Sequence, residues 1–293
     1  MNQTSSFGMT TLPRAARSAL QWRLLLLWAL CLLLPTIALA LPMWQLLGAN
    51  LGNSVHAASL AQELDLTAIS DLMGITQRNA GSPFGNGALM ALALTLLLSP
   101  LLSGMVVTAA RASETLGFHA LAAGGMREYP RMFRMLLWAI VPLAVACAVG
   151  GAAMSAATKY GQKVILEADA DRVQMGATLV MGLLLVLVHA TLDAGRATLA
   201  TDRRRNSAIK AWWAGCKMLV RRPLATVGVY LVISVAGLVL AVLFAYARIN
   251  VPHVSAIGFI GALLLTQLVV VVIAWMRSAR LFAMIELAQA MQR

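Results

Sequence analysis

Six stretches of this chain, 24–47, 89–110, 135–157, 173–192, 224–247 and 254–276, are apolar and contain no Asp, Glu, Lys or Arg. Each is about twenty residues long or longer, the length a helix needs to cross a hydrocarbon layer of ~30 Å. Backbone N–H and C=O groups inside lipid have no water to pair with. Each stretch is therefore expected to satisfy them internally, as an α-helix. The fold class that follows is all-α: one polytopic domain over residues 1–293 with six transmembrane helices. A soluble domain carries about a quarter of its residues as charged groups, whereas here the fraction is 12%. The spans and their short connections use nearly all the length, so no separate soluble catalytic domain is expected.

A net charge of +12 would suit a nucleic-acid binder, but its placement points elsewhere. With the N-terminus on the cytoplasmic side, the two tails and the second and fourth loops hold 18 of the 23 Lys and Arg against five acids. The other side holds five cations (Arg78, Lys159, Lys163, Arg172, Arg248) against six acids. This asymmetry is the one that orients membrane helices, and it puts both termini in the cytoplasm of a bacterial inner-membrane protein. The surplus basic charge is expected to attract anionic lipid headgroups, not nucleic acid. Cys31 and Cys147 fall within spans and Cys216 falls on the reducing face, so no disulfide is expected. Arg23, the leucine-rich run and Thr36-Ile-Ala-Leu-Ala40 resemble a signal peptide. Twenty-three residues precede the run, however, and it is long for such a segment, so an uncleaved first helix is expected.

The spans fall into three hairpins that read as diverged repeats, each an interfacial elbow helix followed by an outward and a returning span. The returns end alike, in Ala110-Arg111-Ala112, Gly195-Arg196-Ala197 and Ala279-Arg280-Leu281. The fourth loop carries the cleanest amphipathic pattern. Over 206–220 the apolar residues Ile209, Trp212, Trp213, Cys216, Leu219 and Val220 fall on one helical face, and Asn206 or Ser207 can cap the start. Trp212 and Trp213 beside Lys210, Lys217, Arg221 and Arg222 suit a helix lying at the headgroup boundary, either as a plain connector or as a docking surface for a partner. A second short helix is expected over 114–123, ended by Gly124-Gly125. Residues 14–22 and 281–291 are expected to form similar in-plane helices, and 59–75 an amphipathic helix on the opposite side.

Little in the chain carries chemistry. Four histidines form no ligand-spaced cluster, and no phosphate loop or nucleophile elbow is present, so neither an enzyme nor a resident metal or cofactor is expected. The ionisable group that stands out is His189, Asp193 and Arg196, at four- and three-residue spacing. His189 lies about one turn inside the fourth span, where ionisable groups usually face the protein interior. The group reads either as an ion or proton site, or as a helix-end network in which Asp193 pairs with Arg196, Arg111 or Arg280. Gln267 is the other deep polar residue, suited to bonding between helices. In the third span, Ala144, Ala148, Ala152 and Ala156 recur every fourth residue beside Cys147, Gly151 and Ser155. Such rows let helices approach closely, and they predict a central position for this helix. Pro35, Pro42, Pro100 and Pro142 are potential kinks.

The segment Leu192-Asp-Ala-Gly-Arg196-Ala-Thr-Leu-Ala-Thr-Asp202-Arg-Arg-Arg205, followed by Arg221-Arg-Pro223, resembles a pattern in six-helix bacterial inner-membrane proteins. These are similar to the membrane domain of some glycerophosphodiester phosphodiesterases. The resemblance implies an inner-membrane protein with cytoplasmic elbow helices and no catalytic residue. Two functions stay open. One is a permease-like component of a transport or export system, docking a cytoplasmic ATPase or another membrane subunit on its basic face. The other is a non-transporting scaffold or assembly factor of an envelope complex. A permease is expected to hold a water-accessible cavity at His189, Asp193 or Gln267. A scaffold is expected to hold a solid bundle with those groups mutually satisfied.

Overall fold

The computed structural model describes residues 12–51, 83–112, 114–164, 166–204, 206–251 and 256–291. The helix expected over 59–75 lies outside them. Among the described residues the chain forms eight helices and no strand: α1 (12–18), α2 (Trp22–Leu51), α3 (Pro83–Arg111), α4 (Phe118–Gly161), α5 (Glu167–Thr201), α6 (Ala208–Arg221), α7 (Pro223–Ile249) and α8 (Ala256–Ala290). Each apolar run falls within one helix, the sixth from residue 256, and six helices have the length and composition to cross a membrane. The protein is an all-α, multi-pass membrane protein.

The helices pair as three antiparallel hairpins, α2–α3, α4–α5 and α7–α8. In the halves nearest the connecting loops, each hairpin packs within itself. Gly87 of α3 lies against Pro42 of α2 and Gly150 of α4 against Met181 of α5, and nearer the middle of its hairpin Gly237 of α7 lies against Met276 of α8. Gln174 and Thr178 of α5 reach the Met154 sulfur of α4, and Arg248 of α7 donates to Thr266 Oγ1 of α8 at 3.1 Å. We call this the far end, and the opposite end, where the three hairpins meet, the collar.

The core lies at the collar. The largest fully buried side chains are Leu24, Val106, Val107, Leu121, Met135, Leu192, Leu199, Thr226, Ser278 and Met284. All come from the collar halves of their helices. Three helices are long enough to build this region beyond the lipid. At 1.5 Å per residue, the 44 residues of α4 span about 66 Å, and the 35 residues each of α5 and α8 about 52 Å, against ~30 Å of hydrocarbon. The last three turns of α8 form the axis of the collar, with Leu281, Phe282, Ala283, Met284, Ile285, Leu287 and Ala288 all buried. Residues 281–291 are thus mostly a continuation of α8, surrounded by other helices, not a separate in-plane helix.

The second expected elbow also differs. Gly124 and Gly125 lie inside α4, which starts at Phe118 and runs through them. They mark a helix crossing, not a helix end. A Cβ at 124 would sit 2.3 Å from the Thr108 side chain, one at 125 would sit 2.7 Å from Met105 Cγ, and one at Gly104 would sit 2.7 Å from the Gly125 carbonyl. The missing side chains let α3 and α4 touch backbone to backbone. Tyr129 Oη extends the contact, donating to the Leu97 carbonyl at 3.1 Å.

Two connectors remain separate helices. α1 docks on α8 through Trp275 Nε1, which donates to the Ala16 carbonyl at 3.0 Å, with Ala15 and Ala19 fully buried. The first span is built into the core through Leu24, Leu25 and Trp28. The small-residue row of the third span is displaced from its expected role. Ala144, Ala148, Ala152 and Ala156 are exposed, and the neighbouring row Ala139, Pro142, Ala146, Gly150 and Ala157 is buried. The far half of α4 meets α5 through Gly150 and Met154, on the side of the buried row and not on the expected one, whose exposure shows that this helix is not enclosed on all sides among the described residues. α2, α3 and α4 continue as helices through Pro35, Pro42, Pro100 and Pro142.

Candidate functional site

The residues singled out in the sequence separate into three places. Asp193 is 8% exposed and sits where α5 enters the collar. Arg196 NH1 donates to its Oδ1 at 2.6 Å, and Arg280 Nε of α8 lies 3.6 Å from Oδ2. Arg280 also donates to Ser234 Oγ of α7 at 3.1 Å, and its guanidinium lies 4.6 Å over the Tyr230 ring. A carboxylate at this depth is tolerable because two cations face it. The network ties the second hairpin to the third, as the helix-end reading expects; Arg111 is not its partner.

His189 does not join it. The ring is exposed, and Nδ1 lies 2.8 Å from the carbonyl of Leu185 in its own helix. Spacing of four places two residues on one face, but the surroundings change over that turn. All residues from Ala190 to Gly195 are buried in the collar, whereas His189 stands just above, where α5 is open. Gln267 is half-buried on α8, about 15 Å along the helix from Arg277, and takes no part in the network.

A second network was not legible in advance. The Glu128 carboxylate of α4 accepts from Arg111 NH1 of α3 through Oε1 and from Arg131 NH1 through Oε2 at 2.6 Å. The three side chains are only 10–15% exposed. Both arginines then reach the C-terminus of α5. Arg111 Nε donates to the Ala200 carbonyl at 2.7 Å and NH2 to Leu199 at 3.2 Å; Arg131 NH2 donates to Leu199 at 2.8 Å and to Asp202 at 2.7 Å. These carbonyls have no partner in the helical ladder and carry its negative end, so guanidiniums satisfy and neutralise them together. Arg134 NH1 donates to Asn206 just beyond, at 3.0 Å. The one sequence signal was the i,i+3 pair of Glu128 and Arg131, a lone acid among arginines.

α6 confirms the expected amphipathic helix and rotates it. Ser207 caps it, accepting from the Lys210 N–H at 3.4 Å. The buried face is the small one: Ala208, Ala211, Gly215 and Met218. Gly215 meets α5 so closely that a Cβ would lie 2.6 Å from the Gly195 nitrogen. The two tryptophans part company. Trp212 is half-buried, donates through Nε1 to Thr191 Oγ1 at 3.2 Å and stands edge-on to Trp138 at 5.7 Å. Trp213 is 57% exposed, with Ile209 at 54% and Val220 at 79% along the same side, and Leu224 at the start of α7 is 90% exposed. Lys210, Lys217, Arg221 and Arg222 are exposed beside them.

Three cavities open at the collar. One of about 500 Å³ lies between α1, α2, the end of α3 and α8; one of about 790 Å³ lies at the ends of α3 and α5; one of about 300 Å³ lies between α3 and α4. His189, Asp193 and Gln267 line none of these three. Comparison with protein-family models, with curated proteins and with solved structures gives no match for this chain.

Proposed function

We propose that this protein is a non-transporting scaffold of a bacterial inner membrane, organising an envelope complex from its basic, cytoplasmic collar. The observation that carries the reading is the state of Asp193. Its carboxylate is enclosed by Arg196 and Arg280, the latter in turn held by Ser234 and Tyr230, and none of the three collar cavities touches it. A transport site exchanges its ionic partners with solvent or substrate; a network closed on itself serves as a joint. α6 supports the reading from outside: its exposed apolar edge between Lys210, Lys217, Arg221 and Arg222 matches an anionic headgroup layer and would hold the collar against the bilayer.

One observation favours the permease-like reading, with a docked ATPase or second membrane subunit. The far halves of the hairpins hold contacts within pairs, Gly87 to Pro42 and Gly150 to Met181, and a permease would open between such pairs to one side of the membrane. Cysteine accessibility decides between them. In a variant whose native cysteines are replaced by serine, S234C and Q267C are each treated with a membrane-impermeant thiosulfonate from either side. The scaffold reading expects no modification at either position. Modification at both, blocked by a co-purifying small molecule, would establish a conduit and end the proposal.

A further inference from the structure

The cavities of about 790 and 300 Å³ share Arg111 and Arg203 as walls, and their volumes lie in the range of small-ligand sites. Among the described residues, five arginines, 111, 127, 131, 203 and 204, stand around them against two acids, Glu128 and Asp202. The acids are engaged. Glu128 is held by Arg111 and Arg131, and Asp202 Oδ1 accepts the Arg204 N–H at 2.9 Å. Arg111 and Arg131 also hold the C-terminal carbonyls of α5. The guanidiniums of Arg127, Arg203 and Arg204 serve neither purpose and pair with no carboxylate among the described residues. Orientation in the membrane asks for positive charge near this surface, but not for its convergence on one concavity.

The walls also say what kind of anion fits. Among the described residues, neither cavity is lined by an aromatic or a large aliphatic side chain; the remaining described walls are Thr108, Ala110, Gly124, Ala200, Thr201 and Gln289. Nothing there would stack on a base or hold an acyl chain. Guanidiniums pair with phosphate through two parallel N–H···O bonds, and three uncommitted arginines around two adjoining openings match a ligand with more than one phosphate. We propose that this arginine-lined double cavity is a binding site for a phosphate-bearing polyanion, recognised through its phosphates.

The test uses the full chain in nanodiscs. In the first arm the lipid is zwitterionic and inorganic triphosphate is titrated calorimetrically. Saturable binding is expected, weakened about tenfold or more in the R127Q/R203Q/R204Q variant and unchanged in K159Q/K163Q, whose exposed lysines lie at the far end, away from both cavities. In the second arm, vesicles containing phosphatidylglycerol replace triphosphate. Loss of vesicle binding in the triple variant alone, with no triphosphate binding by the wild type, keeps the phosphate chemistry and assigns its source to a lipid headgroup. Thermal unfolding without ligand checks that the triple variant is folded, and R203Q alone serves if it is not. No saturable binding in either arm, or equal weakening in both variants, would overturn the proposal, the latter by showing only diffuse attraction to positive charge.

Discussion

The two ends of this protein are built by different rules. At the collar, α3, α4, α5, α6 and α8 surround one another, and Leu121, Met135, Leu199 and Met284 are out of contact with solvent. At the far end, Leu89, Val145, Leu179, Leu183, Leu243 and Leu264 each expose more than half their area. The residue types are the same; the solvent differs. Beyond the lipid, water drives apolar side chains together. Within it the surrounding chains are as apolar as leucine, and helices associate only where shape and small residues permit. The collar therefore packs like a soluble domain, while the far halves meet in pairs.

Stability measurements on the purified protein can break that contrast. The largest loss is expected from E128A, which leaves Arg111 and Arg131 facing each other without a counter-charge in a poorly hydrated site. About 3–5 kcal/mol is expected, read as a lowered midpoint in denaturant titration, and an unchanged midpoint would refute the joint. M284A should cost about 2–5 kcal/mol as a core cavity; L183A on the lipid-facing half should cost less than about 0.5 kcal/mol. Equal losses would abolish the distinction between the ends. Glycine sharpens it. G215A drives a methyl group into the α5 backbone and should destabilise by about 1–3 kcal/mol. G151A, with open space where its Cβ would go, should stabilise α4 by about 0.5–1 kcal/mol through helix propensity. The smallest effect is chemical. Burial pushes the Cys216 thiol above its ordinary value, so less of it is thiolate at a given pH. Its maleimide labelling should be slower than that of an exposed thiol and should keep rising with pH after the exposed thiol has levelled off; coincident profiles would show that Cys216 is open to solvent.

The legible parts share one property: they depend on local composition. The six spans, their all-helical form, the cap and extent of α6 and the Asp193–Arg196 pair could be read because each needs a neighbour no more than a few residues away. The readings that changed needed a distant partner. Gly124-Gly125 has the composition of a helix stop, and only the approach of Gly104 makes it a crossing. Ala144 to Ala156 has the pattern of a packing stripe, but α5 lies against the adjacent row. His189 and Asp193 have the spacing of a shared site, but the collar closes between them. Glu128 and Arg111 are seventeen residues apart, with no periodicity to link them.

What the amino-acid sequence determined by itself is that this chain crosses a membrane six times as helices with its basic loops on one side, because the length and charge of each span are decided by lipid thickness and the cost of desolvating charge. Only the tertiary structure decided which faces pack, which acids are neutralised and where arginine is left over. Those outcomes rest on separations of a few ångströms between residues far apart in the chain, and a one-dimensional pattern does not encode such distances directly.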